Sequence, residues 1–193
     1  MSTRLRRLVF AALLLGVVGS IAGYGVFSAF TATTTNTGNS YAAGTVVISQ
    51  HTGATTLYTG TNKGPGSTTT GCVRITYGGT LAASVELYAS AGITNGSNFN
   101  LKVERGSGLT TLDNTMSCAG FTASSTAYDG LLGTFATAYA GGIDGKASNG
   151  AWAQNDSVDY RFTISVVDDT TPNAHTAAVG TGSHTFTWEA RND

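Results

Sequence analysis

The amino-acid sequence predicts an all-β domain built as a two-sheet sandwich, with a hydrophobic segment in front of it. Apolar and polar residues alternate with a period of two in at least six short runs, which is the pattern of half-buried strands. Glycine is abundant, with 26 residues against 2 prolines, and Gly-rich or Asn-Gly turns separate the runs. After the leader, no run gives a convincing amphipathic helix.

Six strands are expected along the chain, each with one face in a core and one in water. The apolar sets, in chain order, are Val46 and Ile48; Val73, Ile75 and Tyr77; Val85, Leu87 and Ala89; Phe99, Leu101 and Val103; Val158, Tyr160, Phe162, Ile164 and Val166; and Phe186 and Trp188.

One stretch, Ser124 to Ala140, departs from this alternation. Leu131, Leu132, Phe135 and Tyr139 stand near helical spacing. A short helix and an irregular crossover both fit this stretch.

The composition limits the classes of partner. Charged residues make up 11% of the chain, well below the usual ~25%. Its net charge is −1, and removal of a leader with three arginines makes the rest more acidic. Nucleic-acid binding needs clustered Lys and Arg, which this chain lacks, so no nucleic-acid partner is expected.

The first 28 residues resemble a secretory signal. Met1 to Leu8 carries Arg4, Arg6 and Arg7, and an apolar run follows. A cut before Ala29 has small residues at Val26 and Ser28, whereas a cut after Ala22 fits the A-x-A form better. The alternative is an uncleaved anchor, because Leu8 to Phe30 has no charge and can span about 30 Å of hydrocarbon.

Cys72 and Cys118 are the only two cysteines. An exported chain meets an oxidising environment, so one disulfide is expected, worth about 3–4 kcal/mol by loop entropy. Two free buried thiols are the alternative. A metal site is not expected here, because the spacing is not C-x-x-C and no histidine is near in sequence.

No catalytic motif is present, and the chain is not expected to be an enzyme. None of His51, His175 and His184 begins H-E-x-x-H, and G-x-S-x-G is absent. The three histidines are expected to be solvated loop or strand-edge residues.

Acidic residues cluster at Asp156 and Asp159 and at Asp168-Asp169. Oxygen-rich loops can bind Ca²⁺, but no EF-hand spacing is present. The alternatives are a calcium site and solvated surface acids, and no other cofactor is expected.

The segment from Phe27 to Val46 resembles the signal-peptide and N-terminal region of the TasA/camelysin family. An aromatic near the cleavage site, polar Thr and Asn residues, a second aromatic and then A-G-T form the family pattern. Phe30, Tyr41 and Ala43-Gly44-Thr45 occupy these places, although Thr31 and Ala32 stand where relatives often have Asp.

The resemblance implies a jelly-roll sandwich over residues 46–193 and processing by a SipW-type signal peptidase between Ser28 and Ala29. It also implies that residues 29–45 form a donor segment, which inserts as a strand into the next subunit of a biofilm-matrix fibre. The strand would use Ala29, Phe30, Thr31, Ala32, Thr33 and Thr34, with Phe30, Ala32 and Thr34 on one face.

The expected function is therefore that of a secreted fibre subunit whose partner is a second copy of the chain. The membrane would be met only through the leader before cleavage. The alternative function is a monomeric or membrane-tethered cell-surface protein that acts in binding or adhesion.

Overall fold

A computed structural model describes residues 43–51, 56–61, 63–89, 93–148, 150–167 and 181–192. They all belong to one compact unit, Ala43–Asp193. The expected cleavage site and donor strand, Ala29 to Thr34, lie outside the described residues, as do His175 and Asp168-Asp169. In the part of the chain that is described, no helix is long and apolar enough to cross a membrane.

The described residues form eight strands, which confirms the all-β prediction. The strands are β1 (Ile48–Gln50), β2 (Thr68–Tyr77), β3 (Ser84–Ala89), β4 (Phe99–Ser107), β5 (Thr122–Leu131), β6 (Ile143–Asp144), β7 (Ser157–Val166) and β8 (Phe186–Arg191). Short 3-10 turns cover Gly96–Asn98, Leu132–Thr134 and Tyr139–Gly141.

The strands pair antiparallel in two sheets. The first has the order β1-β2-β7-β4-β5, and the second has the order β6-β3-β8. Among these pairings, β2 meets β7, β3 meets β6 and β4 meets β5. Two irregularities in the β4–β5 register, at Val103/Glu104 and Arg105/Gly106, bend this edge of the first sheet.

The inner faces of the two sheets share one hydrophobic core. The ring centroids of Tyr160 on β7 and Trp188 on β8 lie 5.4 Å apart, and those of Phe162 on β7 and Phe186 on β8 lie 4.6 Å apart. The predicted alternation is confirmed on β3, where Val85, Leu87 and Ala89 are buried and the residues between them are half-exposed.

Of the two alternatives for Ser124 to Ala140, a short helix and an irregular crossover, the helix is not formed. Strand β5 takes the first half, and the two 3-10 turns that begin at Leu132 and Tyr139 take most of the rest. Leu132 and Phe135 are buried, but they reach the core from a turn and not from one face of a helix.

The connection between β4 and β5, residues 108–121, lies over the outer face of β2. The Cys72–Cys118 disulfide joins it to that strand, with a Cα–Cα distance of 5.0 Å, which confirms the predicted bridge. Leu109 and Met116 from this connection are buried. We call residues 108–121 the β4–β5 loop.

Candidate functional site

An open groove lies at one end of the sandwich, between the first sheet and β8. Its volume is about 850 Å³. The walls come from the segment 56–61, the N-terminal end of β2, the C-terminal end of β7 and the segment 181–185 that leads into β8.

The floor of the groove is the open end of the hydrophobic core. Five half-buried apolar side chains line it, and these are Phe99, Ile164, Val166, Phe186 and Trp188. Further along the same strands, Leu101 and Phe162 are completely buried. The inner faces of β4 and β7 therefore continue past the point where the protein covers them.

A hydrogen bond crosses the rim of the groove. The Tyr58 hydroxyl lies 2.6 Å from Nε2 of His184, and His184 Nδ1 lies 3.3 Å from the Gly182 carbonyl. Nδ1–H therefore donates to Gly182, and the Tyr58 hydroxyl donates to Nε2. Burial raises the pKa of Tyr58, so its hydroxyl keeps its proton. We call this pair the rim clasp.

The two described histidines lie at a strand end and in a loop, as expected, but both are half-buried and hydrogen-bonded and are not fully solvated. The ring of His184 packs against Phe186 with centroids 5.5 Å apart. At the end of β1, His51 accepts a hydrogen bond at Nδ1 from the Arg74 amide, 2.9 Å away. Both residues are half-buried, and each links its own segment to another, His51 to the Arg74 amide and His184 to the Tyr58 hydroxyl.

Strand β8 forms the edge of the second sheet beside the groove. On one side it pairs with β3 over the whole range from Phe186 to Arg191. On its other side, none of the described strands pairs with it. Every second residue of an edge strand directs its N–H and C=O groups outward, so this side can accept another strand.

The N-terminal end of the described unit lies at the opposite end of the sandwich. The Thr45 carbonyl accepts hydrogen bonds from the amides of Thr80 and Leu81, at 2.9 and 3.1 Å. These residues follow β2 and precede β3, whose first residue, Ser84, pairs with Arg191 at the far end of β8. The chain therefore enters the sandwich at one end, and the groove opens at the other.

The two described acids of the candidate calcium cluster already have protein partners. Asp159 is 2% exposed, and its carboxylate accepts hydrogen bonds from the Arg74 guanidinium and the Leu109 amide. Asp156 pairs with Lys146, and this hydrogen bond lowers the pKa of Asp156. The description of Asp159 as a solvated surface acid is wrong.

Within the described ranges, no three His, Cys, Asp or Glu side chains form a group that could hold a metal ion. The groove itself carries Lys63, Tyr58 and His184 as its titratable lining residues. It offers an apolar floor, hydroxyl-bearing walls and an adjacent strand edge, which suits it to binding an extended segment.

The sequence pattern did not point to the rim of the groove. Leu57 and Tyr58 lie outside the alternating runs, whereas the five floor residues all belong to predicted strands. The approach of Leu57 depends on Gly71, because a Cβ at that position would overlap the Leu57 carbonyl.

No protein-family model matches the chain, and no curated protein has a matching sequence.

Proposed function

We propose that this protein is an exported structural subunit that assembles head-to-tail, by insertion of one subunit's N-terminal segment into the groove of the next. The signal peptide is removed between Ser28 and Ala29, and residues 29–37 then become a free, uncharged donor strand. The resemblance to the TasA/camelysin family supports an extracellular matrix fibre as the product.

The observation that carries this proposal is the outer edge of β8, with which none of the described strands pairs. In an eight-stranded jelly roll, the first strand pairs with the eighth, the second with the seventh, the third with the sixth and the fourth with the fifth. The described strands make the last three of these pairs. The first pair is missing, because β1 pairs with β2 and leaves the outer edge of β8 without a described partner.

This pairing supports a jelly roll that lacks one strand. An added strand on β8 would complete the second sheet and cover the half-buried Phe186 and Trp188. Main-chain hydrogen bonds would supply affinity, and alternate side chains would fill the groove.

The donor segment has the chemistry that the groove requires. Phe30, Ala32 and Thr34 share one face of an extended strand, and Phe30 is the only large apolar residue from Ala29 to Thr37. Burial of Phe30 among the aromatic and aliphatic side chains of the floor would contribute about 1.5–3 kcal/mol per junction.

Opposite placement of entry point and groove gives an assembly that does not close on itself. The donor leaves one end of a subunit, near Thr45, and the acceptor groove opens at the other end. Because the two surfaces differ, repetition of the contact produces a filament.

The donor side is tested with Phe30→Asp, which places a carboxylate in the apolar floor, where an unpaired charge is heavily penalised. Thr31→Asp is the matched control, because Thr31 lies on the opposite face of the donor strand. Negative-stain microscopy should show fibres for the wild type and for Thr31→Asp, and none for Phe30→Asp. Normal fibres from Phe30→Asp, or from a chain that lacks residues 29–36, would contradict the proposal.

The acceptor side is tested with Val166→Asp, since Val166 lines the groove. Thr163→Asp is its control, because Thr163 lies on the outer face of the same strand, with its hydroxyl oxygen 3.5 Å from that of Thr70. Mixing experiments separate the two sides. Val166→Asp subunits should still insert their donor strand into a wild-type groove and then stop fibre growth at that end. Phe30→Asp subunits should still accept a wild-type donor strand in their groove.

A monomeric surface protein is the second candidate, and the rim clasp favours it. The Tyr58–His184 hydrogen bond and the packing of both rings near Phe186 already cover part of the floor. Mass spectrometry of the exported protein decides between the two functions together with microscopy. A chain that keeps its leader, or a mature chain that stays monomeric at high concentration, would favour the second candidate.

A further inference from the structure

The β4–β5 loop also covers a strand edge, and this edge belongs to β2 in the first sheet. On this strand the amides of Arg74 and Cys72 point away from β7. The Arg74 amide bonds His51 Nδ1, and the Cys72 amide bonds the Met116 carbonyl at 2.9 Å. Strand β1 pairs only with Ile75 to Tyr77, so it ends before reaching Cys72.

Met116 closes this edge in two ways. Its carbonyl occupies the position that a neighbouring strand would use at Cys72, and its side chain is buried in the core cluster. Its backbone has φ of 53°, a left-handed conformation that is uncommon for a residue other than glycine. A non-glycine residue in this conformation is held there by its surroundings.

The contacts that hold the loop cluster around the disulfide. Cys118 is two residues from Met116 and forms the disulfide with Cys72. The amide of Cys72 in turn donates a hydrogen bond to the Met116 carbonyl. Leu109, at the start of the loop, is fixed by Asp159 and Arg74. At the tip of the loop, the Asp113 carbonyl lies 3.2 Å from Nε2 of His51, and the Asp113 carboxylate accepts hydrogen bonds from Thr115 within the loop. The disulfide is thus the one covalent tie on the half of the loop that caps Cys72.

We propose that the β4–β5 loop is a redox-sensitive cap, and that reduction of Cys72–Cys118 opens the β2 edge to a strand from a second copy of this chain. An unpaired strand edge is a template for pairing with another chain, and proteins normally cover it. This second contact uses a different sheet from the donor-strand groove, so it does not depend on the proposed function.

The reduction itself is an exchange with a dithiol. A thiolate of the dithiol attacks the sulfur of Cys118, the half-buried partner, and the electron pair of the broken S–S bond passes to Cys72, which takes up a proton. The second thiol of the dithiol then attacks the mixed disulfide. Cys118 leaves as a thiol, and the dithiol becomes a disulfide.

The experiment uses the mature chain with Phe30→Asp, so that donor-strand assembly does not contribute. Hydrogen exchange is followed at the Cys72 amide with and without dithiothreitol, and sedimentation velocity is measured over a range of protein concentrations. We expect exchange at Cys72 to accelerate by about tenfold or more on reduction, and a concentration-dependent dimer or larger species to appear.

A double variant, Cys72→Ser with Cys118→Ser, should show both effects without any reductant, while far-ultraviolet circular dichroism shows that the sheets are intact. Met116→Gly provides a second route, because it removes the buried side chain and keeps the disulfide. It should also accelerate exchange at Cys72. A reduced protein that stays monomeric, or a Cys72 amide whose exchange does not change on reduction, would overturn the proposal.

Discussion

The two sheets of this sandwich differ in how their strand edges are covered. On the first sheet, β1, His51 and the β4–β5 loop cover successive positions along the outer edge of β2. On the second sheet, the outer edge of β8 has no partner among the described strands, and the apolar floor beside it is half-exposed. Within the described ranges, the chain therefore protects one strand edge with several contacts and leaves another without a paired strand.

Charges on the outer faces show the same contrast. On the first sheet, burial alone would raise the pKa of Glu104, but hydrogen bonds from Arg161 and Lys102 outweigh it and lower the pKa. On the second sheet, Glu86 stands directly between Asp144 and Glu189 in register. Burial, and then the Asp144 charge, raise the pKa of Glu86.

Among the described residues, the first sheet is therefore the more extensively closed half of the fold. On its outer face Glu104 pairs with Lys102 and Arg161, and its β4–β5 connection is crosslinked to β2. The second sheet has three described strands, one of them two residues long. Under the proposed function, a donor strand on β8 would be its fourth member.

The largest expected effect comes from removing the crosslink. Cys72→Ser with Cys118→Ser removes a crosslink between residues 46 positions apart. The loop-entropy relation gives a decrease of up to about 4 kcal/mol in the free energy of unfolding. Urea unfolding of the monomeric Phe30→Asp chain, with and without the two substitutions, measures it. A loss below about 1 kcal/mol would mean that the bridge restricts the unfolded chain less than the loop-entropy relation assumes.

An intermediate effect is expected from Asp159→Asn. The substitution keeps the shape of a side chain that is 2% exposed but removes the charge that faces Arg74. Hydrogen bonds between charged groups contribute about 1.5–3 kcal/mol, so a loss of about 2 kcal/mol is expected in the same unfolding assay. Asp156→Asn is the control, because its pair with Lys146 is more exposed and should cost under about 1 kcal/mol. Equal losses in the two variants would contradict the contrast between buried and exposed pairs.

The alternation of side chains predicted the central strands well, because burial on one face forces a period of two. It correctly placed Val73, Leu87 and Phe162 in the core. It missed β5, an edge strand of mostly Thr, Ser and Ala, whose pairing comes from β4 and not from its own apolar face. The disulfide followed from the cysteine count and the leader.

The candidate site was less predictable. The Asp159–Arg74 pair joins residues 85 positions apart, and the Tyr58–His184 bond joins residues 126 positions apart. No local pattern encodes such contacts, since they depend on which strands become neighbours. The outer edge of β8, with which no described strand pairs, is likewise a property of topology, which alternation does not determine.

The smallest effect is expected from Glu86→Gln, and it changes with pH. Oε2 of Glu86 is a buried oxygen without a hydrogen-bond partner among the described residues, and burial and the Asp144 charge raise its pKa against the opposing effect of the Arg105 charge. The pKa of Glu86 in the folded protein lies above the ordinary value of 4.5. Between these two values, the folded protein holds the Glu86 proton more strongly than the unfolded chain does. The wild type therefore loses stability from about 4.5 up to the folded pKa. Glu86→Gln removes that loss, so the variant should be more stable than the wild type at neutral pH, by less than about 1 kcal/mol. The advantage should vanish below pH 4.5, where the wild-type carboxyl is protonated in both states.

Glu104→Gln is the matched control, and its expected effect on stability has the opposite sign. The pKa of Glu104 is lowered in the folded protein, so its substitution should destabilise at neutral pH and matter less as the pH falls. Thermal unfolding of both variants from pH 3 to pH 7 measures the two trends, and parallel curves would contradict the contrast between Glu86 and Glu104.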